Sequence, residues 1–290
     1  RPPSEGGLSS YVLAFSYMTK DEQWLLDEKY GGKETAGYEA DKKRLAAGEP
    51  LGYVIGWQPF LSLKIYLDSK PLIPRPETEW WTEQLMHAIS GTLHRSTDRA
   101  GGTFSAENDS VPRNRMHELL FLDLCAGSGA IGCAALAKLP GAQVYFGEID
   151  PIHEATIQKN IHENNLDASR ADVRIGDLFE PFDGMRFDII AANPPYIPSG
   201  RTLDASVADH EPALALFAGD DGLDFIRRIA AELPKHLTLS GVAWIECDEE
   251  HIKTAAALFE ARSLSAEIRT DQYGTPRFIV CRHTRARSAQ

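Results

Sequence analysis

The sequence predicts an α/β protein built on a mainly parallel sheet with an antiparallel final strand, preceded by a small N-terminal helical region and a β-hairpin linker. Three observations carry that expectation. From Leu119 onward, short apolar runs of strand length alternate with segments of helical spacing, the order a parallel sheet covered on both faces requires. A glycine-rich run, DLCAGSGAIG over residues 123–132, stands at the first strand-to-helix junction of that series. The chain then closes on two strand-like runs, residues 266–270 and 277–282, separated by a short turn containing Gly and Pro, which predicts an antiparallel edge.

Taken in order, the first elements are helical. Thr19 and Glu22 have capping-box spacing ahead of Trp24, Leu25, Leu26 and Tyr30. A second helix is expected over residues 38–47, with Gly48 placed for a left-handed C-terminal cap and Pro50 barring continuation. The period then changes to two: Leu61, Leu63, Ile65 and Leu67 alternate with Ser62, Lys64, Tyr66 and Asp68, and with residues 53–57 before them they predict a β-hairpin. A helix follows Pro76, with Trp81, Leu85, Ala88 and Ile89 on one face. Residues 90–117 are polar and without apolar period, which predicts a flexible linker or insertion with no chemistry of its own. Strands are expected at 119–124, 143–149, 172–175, 187–192 and 242–247, and helices from about Ala130, Pro151, Leu223 and Glu249. The expected division is 1–50 helical, 51–72 the hairpin linker and 73–290 the α/β domain, with no internal repeat.

Composition narrows the function classes. With 290 residues, 43% of them apolar, the chain has ample material for a buried core and is expected to be a soluble globular protein. No apolar run approaches the roughly 20 residues of a membrane span. The chain opens at Arg1 rather than Met, so a targeting segment ahead of it stays open. A formal charge of −12 disfavours a protein whose main task is to grip a phosphate backbone, which takes clustered Lys and Arg. Cys125, Cys133, Cys247 and Cys281 form no C-x-x-C pair and are expected to be small, mostly buried thiols in a reducing compartment. The nine His residues have no metal-binding spacing, and no metal is expected.

Two constellations carry chemistry. Gly127 and Gly129 let the backbone turn tightly and approach a ligand, and Glu148 follows about 20 residues on, at the end of the next strand, where a carboxylate can accept hydrogen bonds from both ribose hydroxyls. Together they predict an adenosine-containing cofactor, although an ordinary tight turn would use the same glycines and the run also satisfies the dinucleotide fingerprint of nicotinamide and flavin enzymes. The discriminator is Asn193, Pro194, Pro195 and Tyr196, directly after the apolar strand FDIIAA. A nitrogen whose lone pair is delocalised into a planar group is a poor nucleophile and must be oriented. Asn193 can accept one of its N–H bonds through the side-chain oxygen and the Pro194 carbonyl can accept the other; the two prolines stiffen the loop, and Tyr196 offers an aromatic wall. A strand-terminating Pro-Pro turn with a packed Tyr is the plain alternative.

Asn-Pro-Pro-Tyr after a strand resembles the motif shared by glutamine N5 and adenine N6 methyltransferases. The segments GEPLGYVIGWQPF (48–60) and IPRPETE (73–79), followed by GDLF (176–179), EPALAL (211–216), DGLDF (221–225) and the closing Asp271, Gly274 and Arg277, resemble the HemK/PrmC family of release-factor glutamine methyltransferases. That resemblance implies a class I, Rossmann-like methyltransferase sheet of seven strands with a reversed last strand, S-adenosylmethionine as cofactor, and an N-terminal helical region that helps to bind the protein substrate. It implies that Cys125, Ala126, Gly127, Ser128 and Gly129 cradle the methionine part of the cofactor, that Glu148 holds the ribose, and that Asp177 and Leu178 border the adenine. Asn193 would border the cofactor and, with Pro194, Pro195 and Tyr196, hold the substrate. The implied substrate is the glutamine of the Gly-Gly-Gln motif in a class 1 peptide-chain release factor. RPETE would lie near the pocket mouth, or Arg75 would simply pair with Glu77 or Glu79 at the surface. Cys125 stands where the family often has Gly, Leu178 where some members have an aromatic residue, and the N-terminal region is short for the family. Rival readings are an adenine N6 methyltransferase acting on nucleic acid, a ribosomal-protein glutamine methyltransferase and a non-catalytic binding module. A mitochondrial location is expected, with the cytoplasm as the alternative.

Overall fold

The chain, described by a computed structural model over residues 18–94 and 119–284, forms two units, Arg1–Ile55 and Gly56–Gln290. The first is helical: α1 (Lys20–Tyr30), α2 (Ala36–Ala46) and α3 (Leu51–Ile55). The capping box closes at both ends: Glu22 N–H donates to Thr19 Oγ1 at 3.1 Å and Thr19 N–H to the Glu22 carboxylate at 2.7 Å. α2 begins two residues earlier than the spacing suggests because Thr35 caps it, accepting from Tyr38 N–H. Leu25 and Tyr38 fill the interior, and the buried Asp41 carboxylate gathers Lys29, the Tyr30 hydroxyl and Arg44 at 2.7–2.8 Å. Residues 53–55, expected as strand, are the last turn of α3 instead. Pro50 opens that helix, its carbonyl accepting from Tyr53 and Val54 N–H, and Gly56 at φ 97° ends it.

The second unit opens with the hairpin of β1 (Trp57–Phe60) and β2 (Leu63–Tyr66). Leu61, expected in a strand, is in the turn: Leu61 and Ser62 both take left-handed φ, 46° and 69°, the pattern of a two-residue hairpin loop. The alternation holds from Leu63 onward, with Ile65 and Leu67 buried. α4 (Pro76–His94) buries Trp81, Leu85 and Ile89 as expected, but it runs through residues 90–94, so the expected insertion starts later than the change in polarity. Residues 95–117 of that insertion lie outside the described residues.

The remaining elements are β3 (Leu119–Leu124), α5 (Ala130–Lys138), β4 (Ala142–Glu148), α6 (Glu154–Glu163), β5 (Ala171–Ile175), β6 (Phe187–Ala192), α7 (Ala205–Ala208), α8 (Ala213–Leu216), α9 (Asp224–His236), β7 (Leu237–Glu246), α10 (Ile252–Glu260), β8 (Leu264–Thr270) and β9 (Pro276–His283). The sheet order is β5-β4-β3-β6-β7-β9-β8. β5 to β7 along that order are parallel, and β9 inserts antiparallel between β7 and β8, giving the class I methyltransferase sheet. β7 starts five residues ahead of its expected beginning; exposed Leu239 and the register shift opposite Phe187 to Ile189 hide the period there. The strand order reverses at β3, with β4 on one side and β6 on the other, and a crevice opens there at the carboxyl ends of the strands.

The hairpin is docked rather than free. Asn160, fully buried on α6, takes Tyr66 N–H on its side-chain oxygen (2.7 Å) and gives its NH₂ to the carbonyls of Tyr66 (3.1 Å) and Ser128 (2.9 Å). One helical turn on, Asn164 makes the same two bonds to Lys64 at 2.9 Å each. Two side chains four residues apart thus imitate a neighbouring strand for β2, and one of them also holds the glycine loop. Among the described residues no helix is long and apolar enough to cross a membrane.

Candidate active site

A cleft lies at the reversal point, lined by residues at the ends of β3, β4, β5 and β6. The glycine loop after β3 forms one wall: Cys125, Gly127 and Gly129 all take left-handed φ, 62°, 54° and 76°. For the glycines that conformation carries no strain, and a Cβ on Gly127 would meet nothing nearer than Pro71 Cβ at 4.0 Å. For Cys125 it does, which explains why glycine suits this position. Leu178, which also lines the cleft, is left-handed too, at 51°. Burial pushes the Cys125 thiol up, so it stays protonated. Asp123, under the loop, accepts Gly132 N–H at 2.8 Å, and burial pushes its carboxyl up to about 8.

Glu148 closes β4 and is 6% exposed. Its Oε2 accepts Gly127 N–H at 2.7 Å and its Oε1 accepts Asp150 N–H at 2.9 Å. Each oxygen has a second lone pair to offer. Asp177, after β5, pairs through Oδ2 with Arg228 at 2.7 Å, while its Oδ1 is buried without a partner among the described residues.

Asn193 and Pro195 line the cleft; Pro194 is buried beside them. Asn193 Nδ2 donates to Thr78 Oγ1 at 3.1 Å, and among the described residues neither Asn193 Oδ1 nor the Pro194 carbonyl accepts a hydrogen bond. Tyr196 does not line the cleft; its hydroxyl donates to Glu246 Oε1 at 3.0 Å, and burial together with that carboxylate pushes it well above the ordinary tyrosine range. Glu246 ends β7, is 1% exposed, and also receives Thr78 Oγ1–H (2.6 Å) and Trp81 Nε1–H (2.7 Å) on Oε2; burial raises its carboxyl against the three donors, which lower it. Ala126, Ser128 and Gly129 shape the loop without lining the cleft: Ala126 N–H donates to the Gly147 carbonyl and Gly129 N–H to that of Ala126.

The structure joins segments that the sequence leaves apart. Arg75 pairs with the buried Glu211 at 2.6 Å, not with Glu77 or Glu79, and Ile73 N–H reaches the same carboxylate at 3.3 Å. Glu79 instead accepts Leu61 N–H at 2.7 Å, pinning the hairpin turn. Pro212 and, on α8, Leu214 and Ala215 come to the cleft just after Glu211, and Phe225 of DGLDF joins them. These residues sit in the EPALAL and DGLDF segments, yet no local pattern assigns them a place. His153 also lines the cleft, its Nδ1 2.8 Å from Ser69 Oγ, and no signal in the sequence marks it. Asp248, Glu250 and His251 bring ligand atoms within 4.8 Å of one another, but Arg201 already pairs with both carboxylates.

Comparison with known proteins agrees with the fold. The family profile described as Methyltransferase small domain matches residues 110–210. A release factor glutamine methyltransferase of Geobacter sulfurreducens is 32% identical, over 80% of this chain and 72% of its own. Proteins of the same description from Deinococcus radiodurans and Lactococcus lactis are each 31% identical, over 87% and 88% of this chain and 83% and 85% of theirs. Identity above 30% over four fifths or more of this chain and over two thirds of each relative has one reading: the protein belongs to the release factor glutamine methyltransferase family.

Proposed function

We propose that the protein methylates the side-chain nitrogen of the glutamine in the Gly-Gly-Gln motif of a class 1 peptide-chain release factor, with S-adenosylmethionine as the methyl donor. The observation that carries this reading is the open acceptor Asn193 Oδ1, on a residue that lines the cleft with Glu148 and Asp177, and the equally open carbonyl of Pro194 next to it in the chain. The names of the relatives support glutamine as the acceptor.

The residues present fit the cofactor. Glu148 keeps one free lone pair on each oxygen, enough for two ribose hydroxyls, and the unpartnered Asp177 Oδ1 can accept from an exocyclic amine such as that of adenine. Leu178 and Phe225 offer apolar surface for a base. Bound there, the cofactor would supply an electrophilic methyl carbon on a sulfonium. The protein's part is orientation. Asn193 and Pro194 offer oxygen to both protons of a carboxamide, and the two prolines can donate no N–H that would compete. As the amide nitrogen is alkylated its protons grow more acidic, so these acceptors bind the transition state more tightly than the ground state.

The test is mass spectrometry of release factors after incubation with enzyme and S-adenosylmethionine. One added methyl group on the Gly-Gly-Gln peptide is expected, and none when that glutamine is replaced by glutamate. Methylation of an adenine-containing oligonucleotide with every release factor untouched would replace this reading by the nucleic-acid one.

A further inference from the structure

A carboxamide can present its oxygen or its NH₂ with almost the same shape, and the site works only with one of them. The choice is made behind Asn193. Thr78 Oγ1 lies 3.1 Å from Asn193 Nδ2 and 2.6 Å from Glu246 Oε2. Glu246 is buried and takes three donors, the Trp81 indole N–H, the Tyr196 hydroxyl and Thr78. An indole can only donate, a carboxylate only accepts, and a hydroxyl has one proton. Because the Thr78 proton is spent on Glu246, Thr78 can face Asn193 only as an acceptor. Asn193 must therefore turn its NH₂ to Thr78 and its Oδ1 away.

We infer that Thr78 and Glu246 are positioning residues that fix the direction of the Asn193 carboxamide, and that this polarity makes the site select a carboxamide over a carboxylate side chain. The framework holding them is closely packed. Thr78 stands in the first turn of α4, and Trp81 one turn on packs against Trp244 and Phe278, which stack at 5.0 Å on β7 and β9, so helix and strand end are clamped together. A reversed Asn193 would offer N–H to the acceptor nitrogen, which opposes glutamine and favours glutamate. The inference rests on the glutamine reading above.

The experiment uses the full chain with Thr78→Val, Thr78→Ser and Glu246→Gln, the last because a glutamine can donate to Thr78 and so permits the reversed chain of bonds. Three quantities are read: single-turnover transfer to the release factor, S-adenosylmethionine affinity, and inhibition by the same factor carrying Glu in place of Gln. For Thr78→Val, transfer is expected to fall roughly tenfold or more, about the factor set by one hydrogen bond's worth of orientation, with cofactor affinity kept and the Glu-bearing factor inhibiting more strongly than it does the parent. Thr78→Ser should restore both transfer and discrimination. If Thr78→Val fails to fold, Glu246→Gln reads the same loss of discrimination. Folded, cofactor-binding Val and Gln variants with parental transfer and parental discrimination would overturn the inference, and so would a Ser variant as impaired as Val. A parent that transfers to no glutamine would instead overturn the reading beneath it.

Discussion

Glu148 serves two ends at once. Its carboxylate ties the glycine loop to the end of β4 through Gly127 and Asp150 N–H, and the same two oxygens face the cleft with spare lone pairs. Glu148→Ala is therefore expected to weaken S-adenosylmethionine binding by about 1 to 3 kcal/mol, the range of hydrogen bonds to a charged group, while the sheet stays folded. Titration calorimetry against a circular-dichroism control checks both halves, and unchanged affinity would take Glu148 out of the cofactor site. Cys125 and Leu178 belong to the same scale: both are non-glycine residues in left-handed conformations and both line the cleft, so local backbone preference does not explain their place there.

At the scale of elements, the hairpin is the informative case. Its sequence reads as a linker because β1 and β2 are four residues each and the turn lacks Gly or Asn. What secures it comes from about ninety to a hundred residues away, where Asn160 and Asn164 on α6 supply the hydrogen bonds a neighbouring strand would have made. Asn160→Ala leaves the carbonyl of Ser128 and both polar groups of Tyr66 without this partner and is expected to cost about 2 kcal/mol or more, whereas Asn164→Ala, at a more exposed site, should cost under about 1 kcal/mol. Urea unfolding midpoints compare the two. Equal, small losses would show that apolar packing of Ile65 and Leu67, not the asparagine ladder, docks the hairpin.

For the whole molecule, the division at Ile55 and Gly56 makes a separable prediction. A chain beginning at Gly56 keeps every strand of the sheet, the docked hairpin and all residues lining the cleft. It is expected to melt cooperatively and to bind S-adenosylmethionine within about threefold of the full chain, a difference under 1 kcal/mol, while transfer to an intact release factor falls further if the helical unit helps to bind the protein substrate, as the family resemblance implies. Calorimetric melting and cofactor titration on the truncated chain decide it. Failure to melt cooperatively would mean that the sheet needs the helices for stability.

The sequence by itself determined the features that local physics writes into it. The βα alternation, the capping box at Thr19, the glycine loop, the carboxylate at the end of the second parallel strand and the Asn-Pro-Pro-Tyr strand end are all set by periodicity, turn chemistry or spacing within one βα unit, and each lies on the element expected, although Tyr196 turns to Glu246 instead of lining the cleft. Tertiary structure alone decided which distant groups complete them. Arg75 met Glu211 across more than a hundred residues, Asn160 reached both the hairpin and the loop, and Thr78, Trp81 and Tyr196 converged on Glu246 to orient Asn193. A buried carboxylate must find its donors wherever the fold brings them, and a strand residue gives no sign of which helix will cover its end. Spacing is a property of neighbours along the chain, whereas hydrogen-bond satisfaction in a core is a property of neighbours in space.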